Sequence, residues 1–391
     1  MKKGSSAHRF YSIFLCALLI LTALTPLEAR NQTGFSTEEQ KSLEMLHPRL
    51  PSPFPKISGR QGETQVFPLP DEIAPWPTEE WSVSSPEEEG MDRNTLTRAF
   101  QYAIRHDSSA VLVIRNGYIV GEWYAEGWDE TTRQQGFSVT KSFTGALVGI
   151  LIDNGAINDP EQHVADFVTD WNDLQHGPVM IKNLLSMNSG LHWNLLTDVR
   201  LGLHPNQMRY AIGLPMDHVP NEKWVYHNSA CQVLSEVIFQ SSGMQAADYA
   251  RDQLFDLIGM KTATWQSDKV GNTLTYTGIV ASAREFAKFG YLFLRNGLWE
   301  DRQIISEHWV AKSTQQSQEQ NPFYGYLWWL NTGQLWWQDV PKDAFAAMGL
   351  NERRIYVVPS LDIIAVRLGE NAASWSDNTF LGLISASAIR K

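Results

Sequence analysis

Residues 134–155 read QQGFSVTKSFTGALVGILIDNG and form the most distinctive stretch of this 391-residue chain. Apolar residues recur at helical spacing after Lys141, which predicts a buried helix that begins close to Ser138. Residues three apart lie on one face of a helix, so the side chains of Ser138 and Lys141 can touch. The stretch therefore predicts a hydroxyl and an amine held side by side at the start of a core helix.

This Ser-x-x-Lys spacing is typical of a serine nucleophile paired with a lysine base. A serine hydroxyl is a weak nucleophile that needs an adjacent base, and a lysine amine can serve if burial keeps it uncharged. The helix N-terminus also directs N–H groups and partial positive charge towards a developing oxyanion. The alternative is that Ser138 only caps the helix and that Lys141 is a solvated charge. It stays open because a four-residue match of this kind arises by chance in a chain of this length.

A second motif, WVYHNS at residues 224–229, precedes the apolar-periodic stretch CQVLSEVIF. Tyr226 offers a proton shuttle, and the amide of Asn228 can orient the lysine or a substrate carbonyl. The alternative is a buried tyrosine followed by an asparagine that caps the next helix. For His227 we favour a structural or solvent-exposed role over a place in the site.

A third motif, FAAMGLNERR at residues 345–354, comes just before a predicted strand. Gly349 suits a place where backbone passes close to a substrate, although a plain strand-edge glycine is the commoner case.

The segments at both ends of the chain predict the fold class. Residues 110–124 read as a hairpin that turns at Asn116-Gly117, and residues 354–359 and 362–369 read as another. Helices are predicted from Asp92 to residue 104 and over residues 378–389, and a helix-rich subdomain over about residues 150–275. We expect an α+β fold in which an antiparallel sheet, built from both ends of the chain, is flanked by helices.

The three motifs, in this order, resemble the serine β-lactamase and penicillin-binding protein superfamily, and within it the class C β-lactamase-like hydrolases. The resemblance runs from about Ser82 to the end of the chain and includes residues 179–191, 277–297 and 321–331. It implies a β-lactamase/transpeptidase-like fold over residues 81–391.

The resemblance also implies roles for individual residues. Ser138 would be the nucleophile, Lys141 its general base, and Tyr226 the proton shuttle that protonates the leaving group. Asn228 would lie beside the substrate amide. The backbone N–H groups of Ser138 and of Leu350, which follows Gly349, would form the oxyanion hole. The implied activity is that of a serine hydrolase that forms an acyl-enzyme with a small ester or amide and needs no cofactor.

One departure from the superfamily pattern concerns Ala347-Met348-Gly349. β-Lactamases and penicillin-binding proteins have a cationic Lys-Thr-Gly-like triplet there, which binds the substrate carboxylate. The segment looks more like the subgroup that contains 6-aminohexanoate-dimer hydrolase, which acts on linear amides and simple esters. Two alternatives stay open: a penicillin-recognising carboxypeptidase or β-lactamase that uses Arg353 or Arg354 for the carboxylate, and a non-catalytic receptor.

The first residues predict export. Lys2, Lys3 and Arg9 precede an apolar run over residues 10–24, which is shorter than the roughly 20 residues of a membrane span. We expect a signal peptide over residues 1–29 and a periplasmic or secreted mature chain without a membrane span; an uncleaved anchor is the alternative. Cleavage would remove Cys16 and leave Cys231 unpaired.

Residues 30–80 hold 8 of the 18 prolines and are predicted to form an extended arm. Phe54, Phe67, Trp76 and Trp81 favour an arm draped over the catalytic body, because a free spacer has little use for large apolar groups.

Composition and the lack of other motifs disfavour several other functions. The net charge of −11 disfavours nucleic-acid binding, since phosphates would be repelled. No His-Glu-x-x-His or similar ligand pattern predicts a metal, and no Gly-x-Ser-x-Gly motif predicts a Ser-His-Asp hydrolase. Four tryptophans could line an apolar cleft for an acyl chain or could belong to the core: Trp328, Trp329, Trp336 and Trp337.

Overall fold

The computed structural model describes residues 68–70, 75–372 and 374–389. The chain divides into two units, residues 1–49 and 50–391, and all described residues belong to the second. The predicted signal peptide and most of the predicted arm lie outside the described residues, so both stay predictions. Within the described residues, no helix has the length and apolar character needed to cross a bilayer.

Strands are numbered in chain order over the described residues. They are β1 (Ser108–Arg115), β2 (Tyr118–Tyr124), β3 (Gln134–Gln135), β4 (Thr264–Trp265), β5 (Ile279–Ala281), β6 (Leu298–Trp299), β7 (Arg302–Gln303), β8 (Trp329–Leu330), β9 (Phe345–Gly349), β10 (Arg353–Val358) and β11 (Ile363–Gly369). Six of them form one antiparallel sheet in the order β2-β1-β11-β10-β9-β8. Because β1 pairs with β11, the two ends of the domain meet in the middle of this sheet, which confirms the predicted architecture.

The α-helices of the described residues are likewise numbered in chain order. They are α1 (Arg93–Ile104), α2 (Thr140–Asp153), α3 (Ile181–Leu185), α4 (Leu195–Leu203), α5 (Gln207–Ile212), α6 (Asn228–Ser242), α7 (Ala246–Ala250), α8 (Ala283–Leu294), α9 (Glu307–Ser313) and α10 (Asp377–Ser387). Asp92 caps α1 by accepting a hydrogen bond from the Thr95 N–H, as its sequence position predicts. Helix α10 begins and ends slightly before its predicted limits. Its earlier start follows from Ser376, which supplies the N-cap.

Turn chemistry fixes both hairpins of the sheet. Asn116 and Gly117 both adopt positive φ, at 53° and 85°, as a tight β1–β2 turn requires. A short 3₁₀ turn at Pro359–Leu361 and Asp362, with φ of 49°, join β10 to β11. The sequence predicts both hairpins correctly because the turn residues are local signals.

Helix α2 is the centre of the core. Its residues are buried from Thr140 to Leu151, on all sides of the helix. Phe143 stacks on Phe289 of α8 with ring centroids 3.6 Å apart, while α8 packs on β10 and β11 of the sheet. The position of the first turn of α2 is therefore fixed by the packing of the whole domain.

The described end of the proline-rich segment packs on α8. Trp76 contacts Tyr291 and Trp299 with ring centroids 5.5 and 5.4 Å apart, and Trp81 also packs on Tyr291. The Thr78 carbonyl accepts a hydrogen bond from Lys288 Nζ at 3.0 Å. These contacts concern only the described end of the arm, and Phe54 and Phe67 lie outside the described residues, so the draped arm stays a prediction.

Candidate active site

The turn that carries Ser138 precedes α2. Residues Phe137–Val139 form a 3₁₀ turn, and the α-helix proper begins at Thr140. Lys141 Nζ donates a hydrogen bond to Ser138 Oγ at 2.8 Å, which is the contact that the Ser-x-x-Lys spacing predicts. Phe137 has a φ of 50°, a left-handed conformation that is costly for a bulky residue and is typical of functional sites.

The Lys141 side chain is 1% exposed and has three partners. Besides Ser138 Oγ, its Nζ donates to Asn228 Oδ1 at 2.8 Å and to the Tyr276 carbonyl oxygen at 3.0 Å. These two carbonyl oxygens can only accept, so they hold two N–H bonds of the amine. The remaining tetrahedral position of the nitrogen therefore faces the Ser138 hydroxyl.

Tyr226 lies against the same amine. Its ring centroid is 4.9 Å from Lys141 Nζ, and the residue is 9% exposed. The ring stacks on Trp329 at 5.6 Å and meets Tyr324 edge-on at 6.3 Å, so packing fixes its plane. The structure thus brings together Ser138, Lys141, Tyr226 and Asn228, which are far apart in sequence.

His227 explains why Asn228 can reach the lysine. Helix α6 begins at Asn228, and its cap is His227, whose Nδ1 accepts a hydrogen bond from the Ala230 N–H at 3.4 Å. The alternative in which Asn228 caps this helix is therefore wrong. His227 is 2% exposed, and burial lowers its pKa to about 4, so it has a structural role as a neutral imidazole.

Gly349 has a close backbone neighbour. A Cβ atom at this position would lie 2.1 Å from the Gly136 carbonyl oxygen and 3.2 Å from the Val139 nitrogen. The sequence left open a glycine close to a substrate and a plain strand-edge glycine, and the structure adds a close contact with the backbone of the turn that carries Ser138. Leu350 follows directly, in the turn between β9 and β10.

Arg353 and Arg354 both have protein partners. Arg354 Nε donates to Asp377 Oδ1 at 3.0 Å and its Nη1 to the Gly349 carbonyl oxygen at 2.6 Å. Arg353 donates to the carbonyl oxygens of Gly369 and Gln135. Both residues are buried, which leaves little support for the suggestion that either binds a substrate carboxylate.

Asp198 is a site residue that the sequence analysis missed. It projects from α4, and its Oδ2 accepts a hydrogen bond from Trp193 Nε1 at 3.3 Å. Burial raises the pKa of Asp198 to about 6, although Trp193, Lys141 and the amide of Asn228 act in the opposite direction. The available signal was an acidic residue between the buried positions Thr197 and Leu201 of an amphipathic helix.

Tyr276 was missed for another reason. It contributes its backbone carbonyl to Lys141, and such a role leaves no trace in the residue type. Its hydroxyl donates to Gln207 Oε1 at 2.8 Å, and burial raises the pKa of the phenol.

Three of the four tryptophans are buried in the core, namely Trp328, Trp329 and Trp337, and Trp336 is half-buried. Trp328 and Trp337 are buried in the core, where Trp328 stacks on Phe289 at 5.7 Å, so the cleft interpretation is wrong for these two. Trp329 stacks on Tyr226, and the half-buried Trp336 packs edge-on against Trp329 at 5.2 Å. Part of the predicted aromatic wall therefore lies behind the tyrosine of the site.

The described residues hold no group of three or more His, Cys, Asp or Glu side chains placed to bind a metal ion. Cys231 is a buried free thiol, and burial raises its pKa to about 12, so it is a poor nucleophile.

Fold and site together define a protein of the β-lactamase/transpeptidase type, in which a half-buried serine lies beside a buried lysine at the start of the central helix. The chain belongs to the Beta-lactamase family, whose sequence profile matches residues 94–368.

Several known proteins are similar to this chain. The 6-aminohexanoate-dimer hydrolase of Paenarthrobacter ureafaciens is 24% identical over 301 residues, which are 69% of this chain and 73% of the relative. An uncharacterised protein of Alkalihalophilus pseudofirmus is 25% identical over 297 residues, 66% of this chain and 82% of the relative.

Solved structures share the fold. A candidate 6-aminohexanoate-dimer hydrolase from Bacillus anthracis superposes with a TM-score of 0.64 at 21% identity, over 82% of this chain and 88% of that one. A penicillin-binding protein homologue from Caulobacter crescentus gives 0.63 at 13% identity, over 78% and 98%. At these identities the likeness establishes the β-lactamase/transpeptidase-like fold and leaves the substrate open.

Proposed function

We propose that this hydrolase of the β-lactamase family cleaves an ester or amide bond of a small molecule through a covalent acyl-enzyme on Ser138. The observation that carries the proposal is the 2.8 Å contact between Ser138 Oγ and a lysine amine that is 1% exposed. This contact lies where a proton can pass from the attacking hydroxyl to the amine, which is the role of a base beside a serine nucleophile.

Acylation begins with attack of Ser138 Oγ on the substrate carbonyl carbon. The hydroxyl proton passes to Lys141 Nζ as the new C–O bond forms, and the carbonyl oxygen takes the negative charge. The N–H groups of Ser138 and Leu350 are the proposed donors to that oxyanion, and such a donor is commonly worth about 3 to 4 kcal/mol.

The leaving group then needs a proton. Tyr226 lies against Lys141, so we assign to it the transfer of a proton to the leaving oxygen or nitrogen, with the proton on Lys141 replacing the one it gives. A water molecule attacks the resulting ester by the reverse of this route. The acid is released, and Ser138 regains its proton.

Two features support a linear ester or amide rather than a penicillin. Ala347 and Met348 place no cation at the end of β9, and the guanidinium groups of Arg353 and Arg354 are engaged by the protein. A relative of this chain is described as a 6-aminohexanoate-dimer hydrolase, which acts on an amide by its name. These features leave the penicillin-recognising alternative with weaker support.

The non-catalytic receptor has weaker support still. A receptor gains nothing from an amine buried against a hydroxyl, and burying an ionisable group costs free energy that a solvated or apolar residue would avoid.

The test is intact-mass analysis of the purified protein after incubation with p-nitrophenyl esters, linear amides and a fluorescent penicillin. We expect a mass increase on the peptide that contains Ser138 with esters or amides, and turnover of p-nitrophenyl acetate. Ser138→Ala should fold normally and lose both turnover and labelling by a fluorophosphonate. Unchanged labelling of Ser138→Ala would refute the proposal, and stable labelling by the penicillin alone would favour the alternative.

The first 29 residues support the further proposal that the enzyme acts outside the cytoplasm, as a periplasmic or secreted protein. N-terminal sequencing of the protein from a fractionated host tests it. A mature chain that begins near residue 30 in the exported fraction is expected; an intact N-terminus in the cytosol would contradict the proposal.

A further inference from the structure

We propose that Arg354 is a positioning residue that sets the direction of the Leu350 N–H. The inference rests on the proposed function, in which that N–H is the second donor of the oxyanion hole. Arg354 does not contact the reacting atoms in this arrangement; it acts through the peptide group between Gly349 and Leu350.

The argument starts from peptide geometry. In a trans peptide the C=O of one residue and the N–H of the next belong to one plane and point in opposite directions. Arg354 Nη1 lies 2.6 Å from the Gly349 carbonyl oxygen. A charge-assisted bond of this length holds the carbonyl towards the guanidinium and so holds the Leu350 N–H away from it.

Among the described strands, none anchors this peptide group on one side of the sheet, while on the other side Arg353 of β10 lies opposite Gly349. In the described residues, β8 pairs with β9 only at Phe345 and Ala346, so the end of β9 has no strand on that side. The turn that follows is also unusual, since Asn351 and Glu352 both have positive φ, at 60° and 51°. Consecutive left-handed residues other than glycine are strained and persist only where the surroundings hold them.

The guanidinium is itself held firmly. Asp377 Oδ1, at the start of α10, accepts from Arg354 Nε at 3.0 Å and from Trp375 Nε1 at 3.0 Å. The Tyr356 hydroxyl donates to the same oxygen. With Nε fixed by Asp377, the planar fork leaves Nη1 in one position, directly at the Gly349 carbonyl.

The neighbouring Arg353 contacts the backbone on the other side of the site. Arg353 donates to the Gln135 carbonyl, and its guanidinium lies 4.8 Å from the ring centroid of Phe137, whose φ is positive. Consecutive arginines of β10 thus hold the backbone on both sides of Ser138. The contacts of Arg354 lead to the oxyanion donor and those of Arg353 to the turn that carries the nucleophile.

The experiment compares Arg354→Lys with Arg295→Lys in the full-length enzyme. Lysine can reach one partner of Arg354 but cannot reproduce the fork that spans both. Arg295 is a matched control, because it is also buried, is paired with Asp362 at 2.8 Å and stacks on Tyr291, at a distance from the site in sequence and in contacts. The readouts are kcat and KM for p-nitrophenyl acetate, the Kd of a boronic acid that forms a tetrahedral adduct, and the melting temperature.

We expect Arg354→Lys to lower kcat by about 10- to 100-fold with KM within about threefold, since removal of a whole oxyanion donor costs about 10²- to 10³-fold. The boronic acid should bind more weakly by a similar factor, because its adduct carries an oxygen in the same place. Arg295→Lys should change the melting temperature without changing either value by more than about threefold.

The inference would be overturned by equal losses of kcat in the two variants, or by a kcat of Arg354→Lys within about threefold of the wild type. The proposed function is tested separately by Ser138→Ala. If Arg354→Lys does not fold, Asp377→Asn loosens the same guanidinium and should lower kcat about three- to tenfold; an unchanged kcat would overturn the inference. A wild-type enzyme without turnover would remove the proposed function and this inference together.

Discussion

The backbone of Gly349 passes so close to Gly136 that a Cβ atom on Gly349 would lie 2.1 Å from the Gly136 carbonyl oxygen. The contact joins the end of β9 to the turn that carries Ser138. It thereby constrains the separation of the Ser138 and Leu350 N–H groups, which are the two donors of the proposed oxyanion hole.

We predict that Gly349→Ala lowers kcat for p-nitrophenyl acetate by about 100-fold or more. The methyl group must move backbone rather than a flexible side chain, so β9 and the nucleophile turn separate and an oxyanion donor is displaced. Steady-state kinetics of the purified variant measure the effect.

The matched control is Gly202→Ala in α4, where a Cβ atom meets nothing within 4 Å. Alanine favours helix over glycine by about 1 kcal/mol, so this variant should be as stable as the wild type or slightly more so, with kcat unchanged. A Gly349→Ala enzyme as active as Gly202→Ala would show that the close contact has no catalytic importance.

A second prediction concerns the acceptor on Lys141. Asn228→Asp keeps an oxygen near Nζ but adds a negative charge, which favours the ammonium form and removes the proposed base. We expect kcat at pH 7 to fall by about 100-fold or more, the usual range for loss of a general base.

The same exchange at the exposed Asn172, whose amide donates to the Thr169 carbonyl, serves as the control. It adds the same charge far from Lys141 and should leave kcat within about twofold of the wild type, as expected for a surface charge. Retention of a third of the wild-type kcat by Asn228→Asp would argue against an uncharged lysine as the base.

Local signals account for what the sequence predicts correctly. The Asn116-Gly117 turn, the Asp92 cap and the 3.6-residue period after Lys141 each specify their own element, and the Ser-x-x-Lys spacing brings two side chains together on one turn. The motif order adds Tyr226 and Asn228 through the family resemblance, since nothing local links them to Ser138.

The parts that were missed depend on long-range contacts. The carbonyl of Tyr276 and the carboxyl of Asp198 approach Lys141 only through the fold. Arg353 and Arg354 look like candidate substrate ligands in sequence, and only the structure reveals that they hold backbone carbonyls. The role of a residue type with several possible partners is decided by which partner the fold supplies.

His227 provides a third prediction, on stability. Burial lowers its pKa to about 4 from the usual 6.5, so the unfolded chain binds more protons than the folded one between these values. The contribution is fully present above about pH 6.5 and is lost as the pH falls to about 4, a change of about 3 kcal/mol. His227→Asn keeps a capping side chain without this titration. Denaturant unfolding should show that its free energy of unfolding, relative to that of the wild type, is about 3 kcal/mol higher at pH 4 than at pH 7.5. A constant difference between the two proteins would contradict the assignment.

Asp198 provides the fourth prediction, with the opposite sign. Burial raises its pKa to about 6 from 3.8, so the folded chain binds more protons between these values, and stability from this group falls as the pH rises. The free energy of unfolding of Asp198→Asn, relative to that of the wild type, should therefore be about 2 to 3 kcal/mol higher at pH 7.5 than at pH 4. This trend is the reverse of that for His227→Asn. In the wild type the two effects offset each other. The free energy of unfolding should therefore depend on pH more steeply in each variant than in the wild type: it should fall with rising pH in His227→Asn and rise with pH in Asp198→Asn. Parallel pH profiles for the three proteins would rule out both shifts.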